Sequence, residues 1–180
     1  MIDYIFKSER LGFRNWRKED VAKMIALNND PEVMRYFPAK ITPEQTKVFI
    51  EKMKTEYDQN RYCYFAVDVL EYDSFIGFIG LLNQDYAASF TPCVDIGWRL
   101  DKKYWNFGYA TEGAKACLRY AFETIKIKEI IATAPQINTE SIRVMQKIGM
   151  KQSLVFKHPK LKQFPKLENC VLYTIATDPL

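Results

Sequence analysis

The 180-residue chain carries 26 Lys and Arg against 22 Asp and Glu, a net charge of +4, with 48% hydrophobic and 27% charged residues. That balance fits one globular domain over residues 1–180, large enough to bury about 70% of its unfolded surface without metals or disulfides. It excludes an intrinsically disordered chain, and no run approaches the roughly 20 apolar residues of a membrane span.

The four cysteines, Cys63, Cys93, Cys117 and Cys170, form no C-x-x-C pair, and there is one histidine. Reduced thiols in a cytoplasmic protein are expected, rather than a zinc site or a disulfide framework. The N-terminus lacks the long apolar stretch of a signal peptide. From Lys151 to Lys166, five lysines and His158 meet no acidic residue. That stretch reads as a solvated loop, or as a contact for an anionic cofactor, an acidic substrate or RNA; for the protein as a whole a nucleic-acid partner is not expected.

In chain order, Leu11–Arg14 reads as a first strand. Asp20 caps or opens a helix to about Asn28, with Val21, Met24, Ile25 and Leu27 at helical spacing. Asn29-Asp30-Pro31-Glu32 predicts a short helix to about Tyr36, because proline suits a first helical turn. Thr42-Pro43-Glu44-Gln45 repeats that signal before a longer helix to about Asn60. Tyr62–Leu70 and Phe75–Leu82 are aromatic and β-branched runs around Glu71-Tyr72-Asp73-Ser74, the pattern of a hairpin. A strand over Cys93–Leu100, a helix over Tyr109–Glu123 and a strand over Glu129–Thr133 follow. Asn138 or Thr139 caps a helix that ends at Gly149. Strands near Lys151–Phe156 and Cys170–Ala176 complete an α+β fold with a mixed sheet.

The segment from Val94 to Gly113 holds most of the functional information. A strand ends in a short loop, and the loop feeds a helix whose start contains Gly108 and Ala110. Unpaired amides at a helix N-terminus, aligned with the positive end of its dipole, suit a phosphate or pyrophosphate group. A dinucleotide fold needs G-x-G-x-x-G after an early strand, and only Gly108 and Gly113 are present here. A P-loop needs a lysine directly after its second glycine, followed by Ser or Thr; here Lys115 comes one position late and Ala116 follows.

Trp105-Asn106-Phe107-Gly108-Tyr109-Ala110 resembles the acetyl-CoA loop, Q/R-x-x-G-x-G/A, of the GCN5-related N-acetyltransferase (GNAT) superfamily. Asp95-Ile96-Gly97-Trp98-Arg99-Leu100, Gly108-Tyr109-Ala110-Thr111-Glu112, Asn138-Thr139-Glu140-Ser141 and Gln146-Lys147-Ile148-Gly149-Met150 resemble its ribosomal-protein N-terminal acetyltransferase branch. So do Glu9-Arg10-Leu11 and Asn29-Asp30-Pro31-Glu32-Val33-Met34. Trp105 stands where Gln or Arg is usual, and Asn106 where this branch often has glycine. Gly113, where alanine is common, reads either as a close approach to the cofactor or as drift.

The resemblance implies a GNAT fold: a mostly antiparallel sheet of about seven strands, splayed between strands 4 and 5 and flanked by about four helices. It implies acetyl transfer from acetyl-CoA to a primary amine by direct attack. The backbone of Ile96, Gly97, Trp98, Arg99 and Leu100 would pair with the pantetheine arm, with a bulge at Gly97 and an N–H near Trp98 or Arg99 as oxyanion donor. Amides of Phe107, Gly108, Tyr109 and Ala110, with Asn106 and Thr111, would hold the pyrophosphate. Asn138 would contact pantetheine, cap its helix, or do both. Ser141 would protonate the departing thiolate or serve only as a polar residue of the first turn. Lys147 would meet a CoA phosphate or remain solvated.

A lysine-like amine costs about 4.6 kcal/mol to deprotonate at neutral pH, an α-amine only about 1. Asp95 is the first candidate base; its alternative is a pair with Arg99. Met34, Tyr36 and Phe37 are expected on one wall of the acceptor pocket. The loop from His158 is expected on the other, with His158 lining the pocket or merely exposed, and Tyr173 in the core or pocket wall. Few carboxylates stand there, so a peptide α-amine, an amino acid or another small amine is favoured over a polycation. Many relatives pair as homodimers. A non-catalytic CoA-binding protein of the same fold and a P-loop nucleotide binder are the alternatives.

Overall fold

The hydrophobic pattern becomes one eight-stranded sheet in the computed structural model, which describes residues 2–177. The strands are β1 (Phe6–Lys7), β2 (Leu11–Arg14), β3 (Tyr64–Val69), β4 (Ser74–Gln84), β5 (Cys93–Leu100), β6 (Glu129–Pro135), β7 (Lys151–Lys157) and β8 (Asn169–Ala176). They lie in the order β1-β2-β3-β4-β5-β6-β8-β7. The sequence pattern points to about seven strands. The eighth is β1, two residues long and too short for a periodic signal, which pairs antiparallel with β2.

Four α-helices flank the sheet among the described residues: α1 (Asp20–Asn29), α2 (Pro43–Asn60), α3 (Tyr109–Arg119) and α4 (Thr139–Lys147). The Thr42 hydroxyl accepts from the Gln45 amide and the Gln45 side chain accepts from the Thr42 amide, a capping box that starts α2. Thr46, Ile50 and Met53 form its buried stripe. Phe49 of α2 packs on Phe78 of β4, with ring centroids 5.4 Å apart. On the opposite sheet face Gly113 of α3 lies over Ile79. A Cβ there would come within 2.3 Å of the Ile79 Cδ1 and within 3.4 Å of Leu11 and Phe13. Gly113 therefore seats helix against sheet, which is neither of the roles read from the sequence.

The segment after Asn29 is not a helix. Asp30 Oδ1 accepts from the Glu32 and Val33 amides, as a cap does, but consecutive turns follow to Tyr36. The predicted helix over Tyr109–Glu123 is α-helical to Arg119 and continues as a π turn over Tyr120–Ile125. No bulge interrupts β5 at Gly97: β4 and β5 pair residue for residue from Gly77↔Leu100 to Gln84↔Cys93. Register shifts lie instead between β3 and β4, at Val67/Asp68, and between β7 and β8, at Gln152/Leu154. What Gly97 provides is room, since the Tyr64 ring lies 3.0 Å from where its Cβ would be.

The sheet opens between β5 and β6, its one parallel neighbour pair. A single ladder partner joins them, Asp95↔Ile131, whereas β6 pairs with β8 along seven positions from Glu129↔Ala176 to Pro135↔Cys170. From Ile96 to Leu100 the β6 side of β5 has no strand neighbour.

At the other end a buried charge network ties β2, β3 and α1 together. Arg14 donates Nε to Asp68 Oδ2 at 2.6 Å and Nη2 to Asp68 Oδ1 at 2.7 Å. It also donates Nη1 to Asp20 Oδ2 at 2.7 Å and Nη2 to Asp20 Oδ1 at 2.9 Å. All three side chains are buried. Removing the shared cation leaves two carboxylates uncompensated in the core, so Arg14→Met should lose about 3–5 kcal/mol of unfolding free energy in urea titration. Unchanged stability would mean that the network is dispensable.

Candidate active site

The loop between β5 and α3 has a backbone shape that its residues make available. Asn106 (φ 65°) and Gly108 (φ 82°) are both left-handed, a region open to glycine and tolerated by asparagine. Among the described residues no group accepts from the six amides of Asn106 to Thr111. They open at the N-terminus of α3, where the helix dipole adds positive potential, and form a concave donor array for an anion.

The array is braced from outside. Glu112 accepts from the Ser8 hydroxyl at 2.7 Å, the Arg10 amide at 2.8 Å and Arg10 Nε at 2.7 Å. Arg10 Nη2 in turn donates to the Phe107 carbonyl at 3.1 Å. Trp105 donates its indole N–H to the Leu100 carbonyl at 2.9 Å, and Arg35 stacks 5.5 Å from its ring. The indole thus closes the loop onto the end of β5, a role not legible from the sequence.

Two joined cavities follow the opening between β5 and β6. The larger, about 400 Å³, lies along the loop and takes in Trp98, Arg99, Leu100, Asn106, Gly108, Tyr109, Ala110, Thr111 and Lys147. The smaller, about 200 Å³, lies deeper among Tyr64, Phe78, Asp95, Ile96, Gly97 and the β6 residues Thr133 to Pro135. Tyr36, Phe37, Trp98, Arg99, Asn138 and Ser141 belong to both. Asn138 Oδ1 accepts from the Ser141 amide at 3.1 Å, so it caps α4 and faces the cavities together.

Two residues read as acceptor contacts lie elsewhere. Met34 is buried at 6% exposure and lines neither cavity, because the turns after Asp30 fold it into the core side. His158 also lines neither. Its Nδ1 accepts from the Lys160 amide to cap a short 3-10 turn, and its ring packs 4.6 Å from Tyr86. The Phe107 side chain lines neither cavity and is 59% exposed, stacked on Tyr109, while its amide stands in the array as expected. Tyr173 is buried in the sheet, bonded to Gln146 and Gln152.

Asp95 sits on the floor of the deeper cavity. Its Oδ1 accepts from the Tyr64 hydroxyl at 2.7 Å and its Oδ2 from Gln84 Nε2 at 3.1 Å. It makes no pair with Arg99, whose Nη1 instead donates to Asn28 Oδ1 at 2.8 Å. Burial pushes the Asp95 carboxyl up to about 6, against the smaller lowering effects of Tyr64, Gln84 and Lys160. The group is thus charged at neutral pH, yet is a far better proton acceptor than a solvated aspartate.

A clasp spans the mouth of the cleft. Arg35 forms an ion pair with Glu140 of α4, and the Tyr36 hydroxyl donates to the other Glu140 oxygen at 3.0 Å. Tyr64, Gln84, Arg35 and Glu140 were missed as site residues because only tertiary folding brings them to the cleft.

The arrangement fits a linear ligand with a pyrophosphate at one end: amide donors at the loop, then a strand flank with free backbone, then a buried carboxylate. Among the described residues no cluster of three or more His, Cys, Asp and Glu is placed to hold a metal ion. None of their helices is long and apolar enough to cross a membrane.

Residues 10–151 match the family model of the acetyltransferase (GNAT) domain. An uncharacterized N-acetyltransferase of Bacillus subtilis, YnaD, is 34% identical over 151 residues, which are 83% of this chain and 84% of that protein. A crystal structure of a GNAT-family acetyltransferase from Bacillus anthracis superposes with a TM-score of 0.79 at 32% identity, covering 94% of this chain and 96% of that one. RimL, the ribosomal L7/L12 alpha-N-protein acetyltransferase, solved with coenzyme A, shares the fold with a TM-score of 0.77. Its identity is 14%, with 98% of this chain and 99% of that one covered. With the loop, the open strand pair and these likenesses in agreement, the chain belongs to the GNAT family of acetyl-CoA-dependent acetyltransferases.

Proposed function

We propose that this chain is a cytoplasmic N-acetyltransferase, one domain over residues 1–180, that moves the acetyl group of acetyl-CoA onto a small primary amine or a peptide α-amine. The observation that carries the reading is the run of six unpartnered amides opening onto the strand edge that β6 leaves free.

Each residue then has a task. The amides of Asn106 to Thr111 hold the pyrophosphate, and Lys147 on the cleft wall offsets phosphate charge. The free backbone of Ile96 to Leu100 aligns the pantetheine arm, with an N–H near Trp98 or Arg99 donating to the carbonyl oxygen as charge develops. One such donor is typically worth about 3 kcal/mol. Acetyl-CoA supplies the activated acyl group. Asp95 takes the proton of the attacking amine, directly or through water, as the C–N bond forms. Ser141, whose hydroxyl has no hydrogen-bond partner among the described residues, gives its proton to the thiolate as the C–S bond breaks and takes one back from solvent, to which Asp95 releases the amine's proton. Asn138 steadies the arm, and Tyr36 and Phe37 wall the acceptor. The rim carboxylates Glu32 and Glu140 are already neutralised by Lys102 and Arg35, which disfavours a polycationic acceptor.

The test is thiol release from acetyl-CoA with a panel of amino acids, N-terminal peptides and polyamines. Thiol release with an acetylated product in the mass spectrum is expected for at least one of the first two groups. Silence with every acceptor would leave only a CoA-binding protein.

Asp95 gives a second, sharper test. As a base it works only when ionised, so kcat/KM should fall as pH drops through about 6. Asp95→Asn should abolish that limb and slow transfer about 10²–10⁴-fold. Stability runs the other way. Because the folded value of about 6 exceeds the ordinary 3.8, the native state binds the extra proton between them and loses stability as pH rises through that window. At pH 7.5 Asp95→Asn should therefore melt no lower than the parent. A lower Tm with an unchanged pH profile would reassign Asp95 to structure.

A further inference from the structure

Two guanidinium groups reach into the fold, Arg14 fully buried and Arg99 half-buried, and they are treated in opposite ways. Arg14 is saturated by two aspartates. Arg99 lies between the rings of Phe37 and Phe78, with its central carbon 4.0 and 5.4 Å from their centroids. Its one hydrogen bond uses Nη1, and the acceptor, Asn28 Oδ1, is neutral. Nε is buried and makes no hydrogen bond, and Nη2 makes none with any described residue. No carboxylate among the described residues pairs with it. Burial lowers the group only to about 10, so it is charged at neutral pH.

The unused atoms are Nε and Nη2. Together they form the edge of a guanidinium whose two parallel N–H bonds match the two oxygens of a carboxylate. Nε is a buried donor without an acceptor, which is costly, and the aromatic rings fix the plane without satisfying it. Arg99 lines both cavities, so a ligand in the deeper one can supply the missing acceptor.

Position on the strand sets what that ligand looks like. Asp95 and Arg99 are four residues apart on β5, about 13 Å along the strand, and alternation puts both on the same face. Between them on that face stands Gly97, whose missing side chain admits the Tyr64 ring, so an aromatic surface floors the space between carboxylate and guanidinium. An amine held near Asp95 and an acid group held at Arg99 would span that floor. At about 200 Å³ the compartment is smaller than a usual drug-sized pocket, which suits a small acceptor.

We propose that Arg99 is the specificity-determining residue for the acceptor: it grips a carboxylate, and the acceptor is an amino acid or another small amine that carries an acid group. The inference rests on the acetyltransferase reading above and narrows its substrate class. It separates amino acids from polyamines and from peptide termini that lack a nearby acid.

Calorimetric titration of the CoA-bound protein with a panel of α-amino acids and their primary amides tests this without requiring turnover. At least one amino acid should bind, and its amide should bind at least about tenfold more weakly, the scale of a charge-assisted hydrogen bond. Arg99→Gln should erase the difference by weakening the acid and leaving the amide unchanged. The comparison of acid with amide in the parent protein stands even if the variant folds poorly. Equal binding of acid and amide, binding of neither, or an acid preference that survives Arg99→Gln would overturn the proposal. Thiol release only with amines that lack an acid group would remove this inference and leave the acetyltransferase reading intact. Absence of thiol release from every amine, with acid-selective binding preserved, would overturn the acetyltransferase reading and leave Arg99 as a carboxylate-binding residue without an acceptor role.

Discussion

The parting of β5 from β6 is the constraint on which the rest of the molecule depends. A parallel neighbour pair with one ladder partner leaves half a strand edge without its hydrogen bonds, and buried backbone rarely tolerates that. Here β6 is held elsewhere by seven antiparallel partners on β8, while β5 is held by eight on β4. Each strand is anchored on its outer side, so the gap does not close. A ligand rich in amide groups can complete the edge, which makes the opening a binding site rather than a defect. Small residues of α3, Gly113, Ala114 and Ala116, let that helix sit close on the sheet and aim its N-terminus at the mouth of the gap.

The buried ionic groups divide along the same line. Arg14, Asp20 and Asp68 satisfy one another with four short hydrogen bonds in the β2–β3–α1 corner, and none of them lines either cavity. Asp95 is bonded only by two neutral donors, and Arg99 only by one neutral acceptor. Incomplete pairing within the cavities is what leaves a proton acceptor and a cation available there. A fully paired version of either would be more stable and chemically inert.

The fold was largely readable from the chain because its signals are local. The capping box at Thr42, the β-branched runs of the hairpin and the asparagine cap of α4 each act within a few residues, and each element stands where its signal lies. The opening strand pair and the cofactor loop were legible through the resemblance carried by Asp95–Leu100 and Trp105–Thr111. What failed was decided by tertiary contact. Asp30-Pro31 starts a helix locally, yet the segment is drawn into turns that seat Met34 inward and bring Arg35 and Tyr36 to Glu140. Gly97 has the look of a bulge, but the space it leaves is taken by Tyr64, a residue 33 positions earlier. His158, the lone histidine, is used to cap a turn. Nothing in the sequence near Arg99 reveals that its partner is Asn28 and that its other edge is empty.

Amide hydrogen exchange with and without CoA tests the central claim most directly. The account predicts that the amides from Asn106 to Thr111 exchange rapidly in the free protein and become strongly protected when CoA is bound, while those of β8 hardly change. Protection of that loop before CoA is added, or none after saturation, would contradict it.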